Sequence, residues 1–438
     1  MMAISAGDAT SVEALINAGA NVNTIEKFHN QTPLMYASAS TRNAGQIVKL
    51  LLSKGAKVDM RSLYSDWPSQ ITSEPRTQYR PVGGLTALLY ATRSGCYECA
   101  EALIAAGADL NLPTPEGVTP LINALDNEHN DVAKLLMDKG ADLNLWDWWG
   151  RTALWVAVDR KTPPNGPTGF SGFGGGGGGG AARGGAAAGR GGRGGAPAAT
   201  SNRPPVPSMD IIKALLAAGV NPNPEMNFHR PNAPGRGRFG DNQISTNTTA
   251  LFRAVQNNDP EVVQALLEKG ADPNINSMGY TAFLLAAGAG PGGRGAPTAP
   301  NLPITDLLVQ HGADVNAKVT GTATYSFNVS RENMGNKDTL TKEGTSALHE
   351  AARTVNPDMV KYLLAHGANP NLLDAAGKKP IDMLGIQRAA RGGNTPGLGQ
   401  QVQGQPAGGR GGAAGGRGGP SPTAAADVRA LLEAAMKQ

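Results

Sequence analysis

The chain is poor in the features that frame disulfide-rich, aromatic-cored or membrane-inserted proteins. Two cysteines in 438 residues cannot supply a disulfide framework. Their Cys96-x-x-Cys99 spacing lacks both the thioredoxin-like context of a redox pair and the second ligand pair of a zinc site, so they are read as two small buried thiols. Aromatic residues make up only 5% of the chain, which argues against large aromatic cores. No apolar run approaches the ~18 residues of a membrane span. The first residues, Met1 to Asp8, carry no basic region followed by an apolar block, so no signal peptide is read. The compartment is therefore undecided, with the cytoplasm as the default expectation. What the chain has in excess is glycine (59) and proline (31), so much of it is expected to be linker.

Against that background one pattern recurs. A block of the form L-L-x-x-G-A-[DN]-x-N ends at Asn23, Asp59, Asn111, Asn144, Asn223, Asn274, Asn316 and Asn371. A ninth copy closes the sequence without its glycine. A second block, T-[PA]-L-x-x-A, precedes most of these, and Thr86, Thr119 and Thr152 lie 33 residues apart. Thr32, Thr86 and Thr119 stand where a helix N-cap accepts a bond from an unpaired backbone N–H. Pro33 and Pro120 follow at the first helical position, where a missing N–H costs nothing. Glycines such as Gly107 and Gly140 occupy the left-handed position that ends a helix. A two-helix unit this short cannot bury its own apolar face, so stacked neighbours must do it.

These residues resemble the ankyrin-repeat family over essentially all of the non-linker length. The resemblance implies an all-α solenoid of stacked helix-turn-helix units with projecting β-hairpin fingers, here about nine units including incomplete ends. Only Ser346-Ala347-Leu348-His349 keeps the family's histidine. In the family it joins a polar network between repeats, so elsewhere cohesion is expected to lean on apolar packing. Aligned on its Asn, the first unit starts about one turn late. Either the array begins upstream or the first unit is a degenerate cap, and a truncated start is the favoured reading.

The chain is read as a single array, 1–438, interrupted at 60–83, 163–207, 224–247, 288–303, 317–343 and 386–426. Segments 163–207, 288–303 and 386–426 fall between the two helices of a repeat and are rich in Gly, Ala, Pro or Arg; 163–207 and 386–426 are expected to be disordered. The other three fall at finger positions. Insertions 163–207 and 386–426 carry +4 each, against +4 for the whole chain, so the array itself is acidic.

No cofactor, metal site or enzymatic centre is expected. The Gly-rich tracts match G-x-G-x-x-G trivially, without the strand and helix that aim backbone N–H groups at phosphate. No nucleophile–base spacing is evident among the histidines. Arg183, Arg190, Arg193, Arg410 and Arg417 resemble the Arg-Gly-Gly segments of RNA-binding proteins, which makes RNA or polyanion binding the alternative function. The leading reading is a protein-binding scaffold with a preformed concave face. Its expected anchor is the fourth finger, Trp146, Asp147, Trp148 and Trp149, with Asp147 fixing the turn or accepting a bond and at least one of the last two Trp exposed.

Overall fold

The computed structural model describes residues 1–65, 82–161, 203–226, 247–277, 279–290, 300–320, 343–384 and 422–437. The first four helix pairs are α1 (Met2–Ala6) with α2 (Ala9–Asn17), α3 (Pro33–Ser38) with α4 (Ala44–Ser53), α5 (Ala87–Ser94) with α6 (Tyr97–Ala105), and α7 (Pro120–Asp126) with α8 (Asn130–Asp138). Four more follow: α9 (Ala153–Lys161) with α10 (Ser208–Ala217), α11 (Ala250–Gln256) with α12 (Pro260–Glu268), α13 (Ala282–Ala286) with α14 (Leu302–Gln310), and α15 (Ala347–Arg353) with α16 (Pro357–Ala365). In the ninth unit a single 3-10 turn, Pro380–Met383, replaces the first helix and α17 (Pro422–Ala435) is the second.

The first helices of the units stack on one another from α1 to α13, and the second helices form a parallel outer row. The seventh and eighth units are joined through Val319 N–H to Thr345 O (2.8 Å) and Tyr362 Oη to Asp306 Oδ1 (3.0 Å). One buried core runs from Ile4 to Leu432 without a break. That continuity is what units too short to fold alone require.

Local chemistry accounts for the helix ends. Thr32, Thr86, Thr119, Thr152, Thr249 and Thr281 each accept the backbone N–H three residues on, at 3.1–3.3 Å. At the other end Gly140 has φ 88° with nothing within 4 Å of an added Cβ, so its backbone conformation alone demands glycine. Thr119→Ala is expected to cost about 1 kcal/mol, read from the urea midpoint, because an N–H at a buried helix start loses its acceptor.

The recurrence of Asn at the end of these blocks has a structural cause. Asn23 accepts Lys57 N–H (2.8 Å) and donates to Gly55 O (3.0 Å), bridging two repeats with one amide. Asn223, Asn274 and Asn316 repeat the bridge to Asp272, Asp314 and Asn369, and to Gly270, Gly312 and Gly367. An amide both gives and takes, whereas a carboxylate only accepts; Asp59 at the same place accepts from Asp109 N–H alone. These amide bridges add to the continuous apolar core in holding neighbouring repeats together.

The described residues that flank the six stretches read as insertions lie at fingers in three cases and at helix turns in three. The finger class starts from paired backbone: β1 (Tyr64–Ser65) against β2 (Val82–Gly83), Met226 against Thr248, and Val319 against Thr345. The turn class separates α9 from α10, α13 from α14, and the 3-10 turn from α17. The ordered array reaches into several stretches read as insertion: α14 begins at Leu302, α17 at Pro422, and Met226 and Val319 are fully buried.

Candidate functional site

The fingers stack into a row because their backbones interlock. Leu63 N–H donates to His29 O (2.7 Å), and Trp148 N–H donates to Glu116 O (2.8 Å). A Cβ on Gly84 would come within 2.8 Å of the Pro115 ring, and one on Gly117 within 3.2 Å of Asp147 Cα, so both close approaches need glycine. The row carries large apolar side chains into solvent: Phe28 is 82% exposed, Tyr64 52%, Trp146 64% and Trp148 58%.

The fourth finger divides its three tryptophans. Asp147 Oδ1 accepts the N–H of Trp149 (3.1 Å) and of Arg151 (2.9 Å), closing the turn, and Gly150 follows with φ 77°. This turn sends Trp146 and Trp148 outward and Trp149 inward. Trp149 is only 5% exposed and lies 5.3 Å beneath the Arg151 guanidinium. Of the anchor expected at Trp146, Asp147, Trp148 and Trp149, Trp148 is the exposed one of the last two, while Trp149 belongs to the core and Asp147, itself buried, holds the turn. The same device recurs in the eighth finger, where Asp374 accepts Ala376 and Lys378 N–H at 2.8 Å each. An acid three residues before the tip glycine is the sequence signal for it.

Below the exposed tips the first helices of the second to fourth repeats line a partly open groove. Tyr36, Tyr90, Arg93, Asn123 and Asp126 are half-buried there. In contrast α11 and α13 are buried along their whole length, as is α9 from Ala153 to Asp159. A cavity of about 280 Å³ lies in the open stretch, between the second and third fingers and helices α5 and α7. Its apolar wall is Leu85, Tyr90 and Val118, and its polar floor includes Glu116, Asn123 and Asp126. The size and the mixed lining suit a side chain or short stretch of a bound chain.

A buried ion network braces this groove. Arg151 Nε bonds Asp147 Oδ2 at 2.7 Å, and its Nη1 lies 3.3 Å from Asp126, which also takes Arg160 Nε at 3.1 Å. Asp159 binds Arg253 Nε at 2.7 Å, carrying the network to the next repeat. Burial holds the Asp147 carboxyl above its ordinary range, against the pull of Arg151. Burial also works against the Arg151 charge, but Asp126 and Asp147 outweigh it and keep the guanidinium protonated.

The remaining candidate residues are dispersed. Arg183, Arg190, Arg193, Arg410 and Arg417 lie outside the described residues. Cys96 and Cys99, expected as free thiols, are joined in a disulfide. The helix explains the meeting, since Cys96 caps α6 and Cys99 stands one turn on, on the same face. His349 is fully buried, with Nδ1 accepting Ser346 N–H (3.2 Å) and Nε2 lying 3.1 Å from Lys378 O in the next finger. Burial lowers its pKa, so the folded chain holds it neutral while the unfolded chain takes a proton below about pH 6.5. Stability from this residue is thus present above that range and lost as pH falls through it. The urea midpoint is expected to drop between about pH 7.5 and about pH 5.5, and His349→Gln to reduce the drop.

Among the described residues no group of three or more His, Cys, Asp or Glu is placed to hold a metal ion, and no helix is long and apolar enough to cross a membrane. Comparison with known proteins agrees with the architecture. A family model for ankyrin repeats matches in three copies, at 1–62, 88–163 and 207–319, and a second ankyrin-repeat model matches 335–384. Relatives include alpha-latrocrustotoxin-Lt1a of Latrodectus tredecimguttatus, 36% identical over 143 residues, which is 33% of this chain and 8% of the toxin. The ankyrin repeat and KH domain-containing protein mask-1 of Caenorhabditis elegans is 26% identical over 320 residues, 73% of this chain and 8% of that protein. The mitochondrial disaggregase of Bos taurus is 30% identical over 153 residues, 32% of this chain and 21% of that protein. The chain thus spans a small part of each relative. Ankyrin repeats generally mediate protein–protein interaction, and with the three family matches laid over the stacked helix pairs, the chain belongs to the ankyrin-repeat family.

Proposed function

We propose that the chain is a protein-binding scaffold that performs no chemistry of its own, and that its partner seats on the open concave groove of the second to fourth repeats. The observation that carries this reading is the coincidence of three features in one place. The exposed Tyr64 stands on the second finger, and the exposed Trp146 and Trp148 stand on the fourth. The cavity lies between the second and third fingers, and its Glu116 backbone carbonyl accepts Trp148 N–H. The later first helices, α11 and α13, offer no comparable opening. Trp and Tyr bring large apolar area with few rotamers to freeze, and the Asp147 turn fixes their backbone before a partner arrives, which keeps the ordering cost of association low.

Binding of RNA or another polyanion by the Arg-Gly segments is the competing function, and one experiment separates the two. The full chain and a chain lacking 163–207 and 386–426 are each used for affinity capture after nuclease treatment. The scaffold reading expects the same protein to be retained by both, with unchanged helical signal. Loss of all capture on deletion, together with a steep fall of binding with salt in the full chain, would favour the polyanion reading instead.

A further inference from the structure

We propose that Cys96 and Cys99 form a reversible two-electron redox site, cycled by thiol–disulfide exchange with a small or protein dithiol, with Cys96 as the exchanging sulfur. The site lies behind the groove, on the turn between α5 and α6, and the proposal does not depend on what the groove binds. Its first support is position. Cys96 is the N-cap of α6, a nine-residue helix, and its Sγ accepts Cys99 N–H at 3.3 Å. Every other side-chain cap among the second helices is an Asp or Asn, at Asp8, Asp259, Asn301 and Asn356. A sulfur in that place fills the capping role in either oxidation state.

The second support is what the surroundings do for the reduced form. A thiolate on Cys96 would face the positive end of the α6 dipole. The Arg203 guanidinium lies 3.4 Å from the ring centroid of Tyr97, so a cation is held against the first residue of α6, next in the chain to Cys96. The bond itself closes a loop with only two residues between the cysteines, so it restrains the unfolded chain little and contributes little to stability. A disulfide that stabilises weakly, and whose capping sulfur is favoured as a thiolate, is one that exchange can open.

The two sulfurs are not equivalent. Both residues are buried, but Cys96, at the helix end, keeps 4% of its residue surface exposed and Cys99, one turn inward, keeps none. The first reductant thiolate therefore attacks Cys96 Sγ. The protein disulfide breaks, its electron pair leaves on Cys99 sulfur, and that sulfur takes a proton. The second thiolate of the reductant then attacks the reductant's own sulfur in the mixed disulfide. It closes the reductant's disulfide and releases Cys96 as a thiolate, which is protonated in turn or held at the helix end. The protein gains two electrons and two protons, and the dithiol loses them.

The test uses the full folded chain, equilibrated in graded ratios of reduced to oxidised dithiothreitol and of reduced to oxidised glutathione. Samples are acid-quenched, alkylated with N-ethylmaleimide and weighed intact. The expected result is two species at equilibrium, with no additions or with two, converting fully in both directions while the far-ultraviolet circular dichroism stays constant. In Cys99→Ala the mixed disulfide with glutathione should form on Cys96 at least about tenfold faster than on Cys99 in Cys96→Ala. A bond that survives excess dithiothreitol in the folded chain overturns the proposal. So does a pair that stays free in oxidised dithiothreitol, or equal rates for the two single variants. The wild-type titration decides the matter even where a variant folds poorly.

Discussion

Replacing Arg151 by Met is expected to lower stability by about 3–5 kcal/mol, the cost of leaving a buried carboxylate without its partner. Arg151 and Asp147 are 2% and 0% exposed at the side chain. The change removes the guanidinium that touches Asp147, Asp126 and Trp149 together. Asp147 then has only backbone N–H groups to face. Its carboxyl, already raised by burial, should rise further once the opposing charge is gone. A raised carboxyl binds its proton more tightly in the folded chain than in the unfolded one, so acid favours folding through this group. The deficit of Arg151→Met should therefore shrink as pH falls and Asp147 is neutralised. Urea midpoints across pH check both points. Adding Asp147→Leu should restore part of the loss, since a buried pair replaced on both sides is often near neutral.

The second large effect separates binding from folding within four residues. Trp146→Ala with Trp148→Ala is expected to weaken partner binding by at least about 2 kcal/mol, roughly thirtyfold in Kd, with the urea midpoint almost unchanged. Both rings stand in solvent and leave little behind when removed. Trp149→Ala should do the reverse. It empties a buried site beneath Arg151 and costs about 3–5 kcal/mol of stability. Binding titrations with the captured partner, paired with denaturation of the same samples, measure both sides. Equal loss of stability in the two variants would mean that the outward rings are packed after all.

How far the sequence carried these conclusions differs by level. The repeat was legible because its signals are local and mechanistic: Thr119 must cap a helix, Gly140 must turn left-handed, and both recur at a fixed period. The fingers were legible as positions for the same reason. Which tryptophan faces out was not, because the answer lies in the Asp147 turn and the Arg151 side chain beneath it. The Asp374 turn shows that the pattern is repeated, so its signal was present but unread. The bridging role of Asn23 needs two repeats side by side, and no single block displays it. The openness of the groove is less legible still. It depends on the neighbourhood of every first helix, and α7 and α11 read alike as short amphipathic segments although one is open and the other sealed. The disulfide hid behind a sound general expectation, since paired cysteines in an isolated C-x-x-C are more often core than bonded.

The central claim is that a partner seats on the open groove over the second to fourth repeats, and site-specific photocrosslinking tests it most directly. A benzophenone amino acid is placed singly at Trp148 or Tyr90 on the groove, and at Glu101 or Lys134 on the outer helices α6 and α8. Each full chain is then irradiated with the captured partner. The account predicts covalent adducts from Trp148 and Tyr90 and almost none from Glu101 and Lys134. Adducts from the outer positions in equal or greater yield would contradict it.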